Sequence, residues 1–136
     1  MSAALALQRA IRARLIASPA VTALVPAAAV FDRSQRPEAD ACIILGETDQ
    51  TEDGDMHFAR VRIAHTIHIW RRAESLEGVA EIVAAARSAI LAAAFDLDDP
   101  HRSCGHWIAS ARTMRDPGGE FAHAVMTVGA LVEEDA

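Results

Sequence analysis

The 136-residue chain contains no lysine and no tyrosine. All 13 of its basic side chains are arginines, and aromatic residues make up only 4%. Alanine is abundant instead, at 30 residues. Alanine and arginine in place of tyrosine and lysine is the pattern of GC-rich coding, so these counts carry little functional information by themselves. Cysteine is scarce: Cys42 and Cys104 are too few for a disulfide framework. Cys42 lies in an apolar run and reads as a small buried hydrophobe. An excess of positive charge is also missing. The formal net charge is −6 and the pI is near 5.4, which argues against a surface built to displace counterions from nucleic acid. No apolar stretch reaches the roughly 18 residues of a membrane span. The longest, residues 79–94, is interrupted by Glu81, Arg87 and Ser88. The segment Met1-Ser2-Ala3-Ala4-Leu5 has no basic region ahead of an apolar core, so a secretory signal is not expected. What is present, 51% hydrophobic and 24% charged residues, is a globular composition of a length that suits one domain over 1–136.

Periodicity sets the expected elements. Ser2 can cap a helix beginning at Ala3, with Leu5, Ile11 and Leu15 on its apolar stripe and Arg9, Arg12 and Arg14 mostly off it. Ser18-Pro19 ends that helix and opens a short second turn carrying Val21, Leu24 and Val25. Ala29-Val30-Phe31 is a short extended piece, and 32–40 reads as a polar loop. The continuous apolar run 41–45 reads as a buried strand. Residues 46–56 are expected to form an acidic loop, with Glu47, Asp49, Glu52, Asp53 and Asp55 and no base. Residues 57–70 alternate: Val61, Ile63, His65, Ile67 and Ile69 share one face, and Arg60, Arg62, Ala64, Thr66, His68 and Trp70 share the other, as in a half-buried antiparallel strand. A long helix is expected from Ser75 to about Ala94, on the spacing of Leu76, Val79, Ile82, Val83, Ala86 and Ile90. After a polar connection over 96–105, strands at 106–115 and 120–132 flank Asp116-Pro117-Gly118-Gly119, a hairpin turn. Residues 133–136 are expected to be a frayed acidic tail. The predicted fold class is α+β: an antiparallel sheet of about four strands with two main helices packed on one face.

Constellations that carry chemistry are sparse. His101, Cys104 and His106 lie close together, but a structural zinc needs four ligands and Cys42 sits deep in a predicted strand. A small metal-dependent or ligand-binding α+β enzyme built on these three residues is the alternative from a different class. His65 and His68 point to opposite faces of their strand and cannot share a site. His65 on the apolar face is expected to be a hydrogen-bonded core histidine. No Gly-x-Ser-x-Gly elbow and no glycine-rich phosphate loop is present. The acidic loop holds calcium-type oxygens without the ligand spacing of an EF-hand. No enzyme activity, cofactor or metal is therefore predicted. Arg60, Arg62, Arg71 and Arg72 are candidate ion-pair partners for the acidic loop, weak at a surface but able to set register between subunits.

A set of weak motifs in a definite order completes the reading. They are Leu7-Gln8-Arg9-Ala10-Ile11, then Ser18-Pro19-Ala20-Val21-Thr22-Ala23-Leu24-Val25, Val30-Phe31-Asp32, Ile44-Leu45-Gly46-Glu47, Thr66-Ile67-His68-Ile69-Trp70 and Met114-Arg115-Asp116-Pro117-Gly118-Gly119. In that order and spacing the chain resembles the tail-terminator (tail-completion) family of long-tailed phages and phage-like gene transfer agents, over nearly its whole length. The acidic loop is longer and more charged than the family pattern. The resemblance implies a structural virion protein of the tail neck, assembled in the bacterial cytoplasm. It implies a homo-oligomeric, hexameric ring that caps the tail tube protein and stops its polymerisation. It also implies a surface for a head-side stopper or connector protein, and a channel through which DNA passes without specific binding. No membrane partner is implied. Another neck component, a head–tail stopper or tube-like protein, is the alternative of the same class. On this reading Glu47, Asp49, Glu52, Asp53 and Asp55 are expected to face the lumen or a neighbouring ring. Arg60, Arg62, Thr66, His68 and Trp70 are expected to form an inter-subunit face, since tryptophan is enriched at interfaces. Trp70 fits packing beneath the long helix equally well.

Overall fold

A computed structural model of the chain describes residues 2–34, 36–57, 59–73 and 75–134. Among the described residues nine elements follow one another: α1 (Ala3–Ala17), α2 (Pro19–Thr22), a 3-10 turn (Ala27–Ala29), β1 (Val30–Phe31), β2 (Ala41–Glu52), β3 (Ala59–Arg72), α3 (Glu77–Leu91), β4 (His101–Arg115) and β5 (Phe121–Glu134). The capping logic holds at the first helix, where Leu5 N–H donates to Ser2 Oγ at 3.1 Å. Ser18 closes α1 and caps α2 with its hydroxyl, and Pro19 occupies the first helical turn.

The strands form one mixed sheet in the order β1-β2-β3-β5-β4. β1 runs parallel to β2, and every other pair is antiparallel. The fold is α+β with the main helices on one face, as the periodicity predicts. The sheet has five strands rather than four, because the short piece at Val30 and Phe31 pairs with Ile43 and Ile44. Opposite residues in an antiparallel pair share a face. Ile63, His65, Ile67 and Ile69 of β3 face Ala130, Val128, Met126 and Ala124 of β5. With Leu7, Ile11 and Leu15 of α1 and Val79, Ile82, Ala86 and Ile90 of α3 they make the buried core. Arg14 ties the two helices together. Its guanidinium donates to the carbonyls of Ala89, Ile90, Ala93 and Ala94 at 2.9–3.3 Å and lies 4.4 Å from the Phe95 ring centre. Two of these carbonyls belong to the last turn of α3, where a helix runs out of amide partners, and two lie just past its end.

Several boundaries differ from the sequence expectation. Residues 46–52 are not a loop: they continue β2 past a bulge between Leu45 and Thr48 and pair with β3 out to Glu52 opposite Val61. The alternation of β3 supplies a ladder long enough to hold a polar strand that has no apolar signal of its own. Likewise β4 begins at His101, because β5 extends to Glu134 and His101 pairs with it. Glu133 and Glu134 are therefore strand residues and not part of a frayed tail, while Asp135 and Ala136 lie outside the described residues. α3 begins at Glu77, with Ser75 Oγ accepting from Glu77 N–H at 3.2 Å, and ends at Leu91. The predicted turn is present: Gly119 has φ 80° and its N–H donates to Asp116 O at 2.9 Å.

Candidate functional site: a histidine groove and the helix-free face of the sheet

Arg60, Arg62, Thr66, His68 and Trp70 share the face of β3 that the helices leave uncovered, as the period of two requires. They do not act as one surface. At the Trp70 end, the segment after β1 folds back over the sheet. Asp32 and Ser34 line a groove of 560 Å³ together with Ile44, Glu47, His68, Trp70 and His123. Arg36 and Pro37 flank Trp70 on its other side. Trp70 is thus buried, but beneath this segment and not beneath the long helix. Its ring stacks on His123 at 3.8 Å, nearly parallel, and meets Phe121 edge-on at 6.1 Å.

His68 lies between two partners in the groove. Its Nδ1 is 3.1 Å from His123 Nε2, and its Nε2 is 3.2 Å from Glu47 Oε1. A carboxylate accepts only, so His68 Nε2–H donates to Glu47, which leaves Nδ1 for His123. Glu47 sits in the β2 bulge. Its own backbone amide and the His68 hydrogen bond hold its carboxyl below the usual carboxylate range. Burial, and then the nearness of His68, push His123 below the usual imidazole value, partly offset by Asp116. His123 could not be picked from the sequence as a partner of His68. The register of β3 against β5, which sets His123 opposite Trp70, is what joins them.

At the other end of the same face, Asp53 accepts two arginines from β3. Its Oδ2 is 3.6 Å from Arg60 Nε and 3.8 Å from Arg62 Nη2. Arg60 also reaches Glu133, which Arg102 grips from β4. Arg62 lies over the Trp107 ring at 5.4 Å. Trp107 in turn lies flat on Gly129, where a Cβ would come within 2.3 Å of the indole. Of the acidic residues singled out in the sequence, the structure brings together Asp53 with Arg60 and Arg62, and Glu47 with His68. Asp49 and Glu52 point outward from exposed β2, and Asp55 sits at the hairpin tip, where it accepts from His57 N–H. Met56 beside it is 97% exposed.

His101, Cys104 and His106 are not assembled into a site. His106 donates to Ile90 O at 2.6 Å and packs on Phe95, His101 is buried, and Cys104 is exposed. Among the described residues no group of three or more His, Cys, Asp or Glu is placed to hold a metal ion. No helix among them is long and apolar enough to cross a membrane. His65 is buried as predicted, but neither ring nitrogen has a hydrogen-bond partner among the described residues, and burial pushes its pKa down to about 4.

Among the described residues this face pairs no nucleophile with a base. The family model for tail completion protein gp17 matches residues 9–133. The chain belongs to this family. It is a structural tail-completion protein of a phage-like particle. No curated protein matches it. Among solved structures, a chain of the virion of a native gene transfer agent particle superposes with a TM-score of 0.86 at 26% identity. The match spans 97% of this tail-completion protein and 98% of that chain.

Proposed function

We propose that this tail-completion protein is a tail terminator. It forms a hexameric ring at the head-proximal end of the tail tube, stops further addition of tube subunits and offers its far side to a head-side stopper or connector. The full-length likeness to a chain of a gene transfer agent virion carries this reading, because it extends over the whole fold and not over one motif. Two features of the molecule support it. The sheet ends in two different edges, as subunits of a closed ring need two different complementary surfaces. The β2–β3 hairpin carries Glu47, Asp49, Glu52, Asp53 and Asp55. Facing the channel or a neighbouring ring, that acidic stretch would repel phosphate and let DNA slide without adhering.

Tube length is the decisive measurement. Purified chain added to polymerising tube subunits should arrest tubes at a fixed point, and particles lacking the chain should carry over-long tails in electron micrographs. A chain that extends tubes instead is a tube-like protein, and one that binds only the head side of finished tails is a stopper. For the hairpin, conversion of its five carboxylates to amides should lower DNA delivery. Unchanged delivery with unchanged assembly removes the acidic-wall idea and leaves the terminator reading in place.

A further inference from the structure

Both margins of the sheet retain pairing capacity. β4 ends the strand order, so no strand lies along its outer side. At the opposite margin the two residues of β1 reach only Ile43 and Ile44 of β2, which leaves 46–52 without an outer neighbour among the described residues. Open rows of backbone N–H and C=O are templates for another strand. Irregular register guards the first half of β4, between Ser103 and His106 and between Ile108 and Ser110; beyond that the strand runs regularly to Arg115. β2 is regular from Thr48 to Glu52. Residues 47–52 and 109–113 are all exposed.

The two margins carry opposite charge. β4 has Arg102, Arg112 and Arg115 and no carboxylate, and 46–52 has Glu47, Asp49 and Glu52 and no base. Arg102 is already engaged by Glu133. Among the described residues neither Asp49 nor Arg112 has an ion-pair partner.

Direction and facing then select a register. β2, β3, β5 and β4 alternate in direction, so β4 runs opposite to β2. Two copies side by side with the same face outward would therefore meet as antiparallel strands. Asp49, opposite Ala64, and Arg112, opposite Val125, both lie on the helix-free face. Placing them opposite each other also sets Thr51 against Ser110 on that face and Thr48 against Thr113 on the helix face. Opposite-charge and hydroxyl pairs are both favourable across strands.

We infer that β4 of one copy pairs through residues 109–113 with residues 48–52 of β2 in the next copy, Asp49 facing Arg112. The partner is a second copy of this chain, and the contact joins two different edges, so in a closed ring its repetition leaves neither edge open. The inference rests on the ring reading above and specifies its seam.

Paired cysteines test it. Asp49→Cys and Arg112→Cys, in a Cys104→Ser background, place two thiols at opposed positions within disulfide reach. In assembled particles oxidation should yield a ladder of cross-linked copies ending at the closed ring, and only when both cysteines are present. In a second arm, Asp49→Arg or Arg112→Asp alone should lower ring recovery at least about tenfold through like-charge contact, and the double reversal should restore it. Rings visible on the particles without a cross-link, or a cross-link to a different particle protein, overturn the seam and leave the ring standing. Particles that carry a single copy of the chain overturn both.

Discussion

His65 shows how one residue can set the pH response of the fold. It is fully buried between Thr48 and Val128, its nitrogens lack hydrogen-bond partners among the described residues, and burial holds its pKa near 4 against an ordinary value of 6.5. The folded state therefore binds this proton later than the unfolded state as pH falls. Stability is complete above about pH 6.5 and declines as pH drops toward 4, by about 3 kcal/mol in all. Desolvation acts on His123 with the same sign. Denaturant unfolding between pH 4 and 8 should show that decline, and His65→Leu should raise stability and flatten most of it. An unchanged slope would mean that other groups carry the pH dependence. Gly129 is the second such position. A side chain there meets the Trp107 ring that lies on its backbone, so Gly129→Val should lift the indole off the sheet and cost about 1–3 kcal/mol. The change is readable as a shift in tryptophan emission alongside a lower unfolding midpoint. Wild-type emission from the variant would show that the ring has no fixed seat there.

Among the elements, the join between α1 and α3 depends on one side chain. Arg14 of α1 serves four carbonyls at the end of α3 and covers Phe95. Hydrogen bonds from a charged donor are stronger than neutral ones. Arg14→Ala should cost about 2 kcal/mol and speed hydrogen exchange at the end of α3 before it affects the sheet. Arg14→Lys should recover part of the loss, since an ammonium cannot span the same set of carbonyls with a planar fork. Uniform loss of protection in the alanine variant would argue against a local clamp. The hairpin behaves differently. Asp53 joins Arg60 and Arg62 at the surface, where such pairs contribute under about 1 kcal/mol. Asp53→Asn should therefore leave the unfolding midpoint in a denaturant titration within error.

At the scale of the molecule, the distribution of charge matters more than its sum. The formal value of −6 says little about a face on which arginines of β3 and β4 are met by Asp53 and Glu133. The exposed half of β2 carries Glu47, Asp49 and Glu52 with no base, and Arg112 of β4, without an ion-pair partner among the described residues, lies at the opposite margin. For that reason assembly of the proposed ring should weaken as ionic strength rises, since exposed pairs are screened beyond about 10 Å at 0.1 M salt, while the fold itself, held by apolar burial, should not. Light scattering and circular dichroism over a salt series separate the two. Parallel loss of both signals would mean that the ring and the fold share their stabilising contacts.

The sequence alone determined the elements whose signal is local. The cap at Ser2, the apolar stripe of α3, the alternation of β3 and the turn before β5 depend on residues within a few positions of one another, so all were legible, as was the family through its ordered weak motifs. That Arg60, Arg62, Thr66, His68 and Trp70 share one face of β3 followed from the same period of two. What lies across strands was not legible. Residues 46–52 and 101–105 have no apolar pattern and become strands only because a longer neighbour offers its ladder. Trp70 is buried by a segment some thirty-five residues earlier in the chain, and His123 meets His68 through a register that no local spacing encodes. Tertiary pairing decided those contacts, because hydrogen bonding between strands and the opposing of like or unlike charges depend on distance in space and not on distance along the chain.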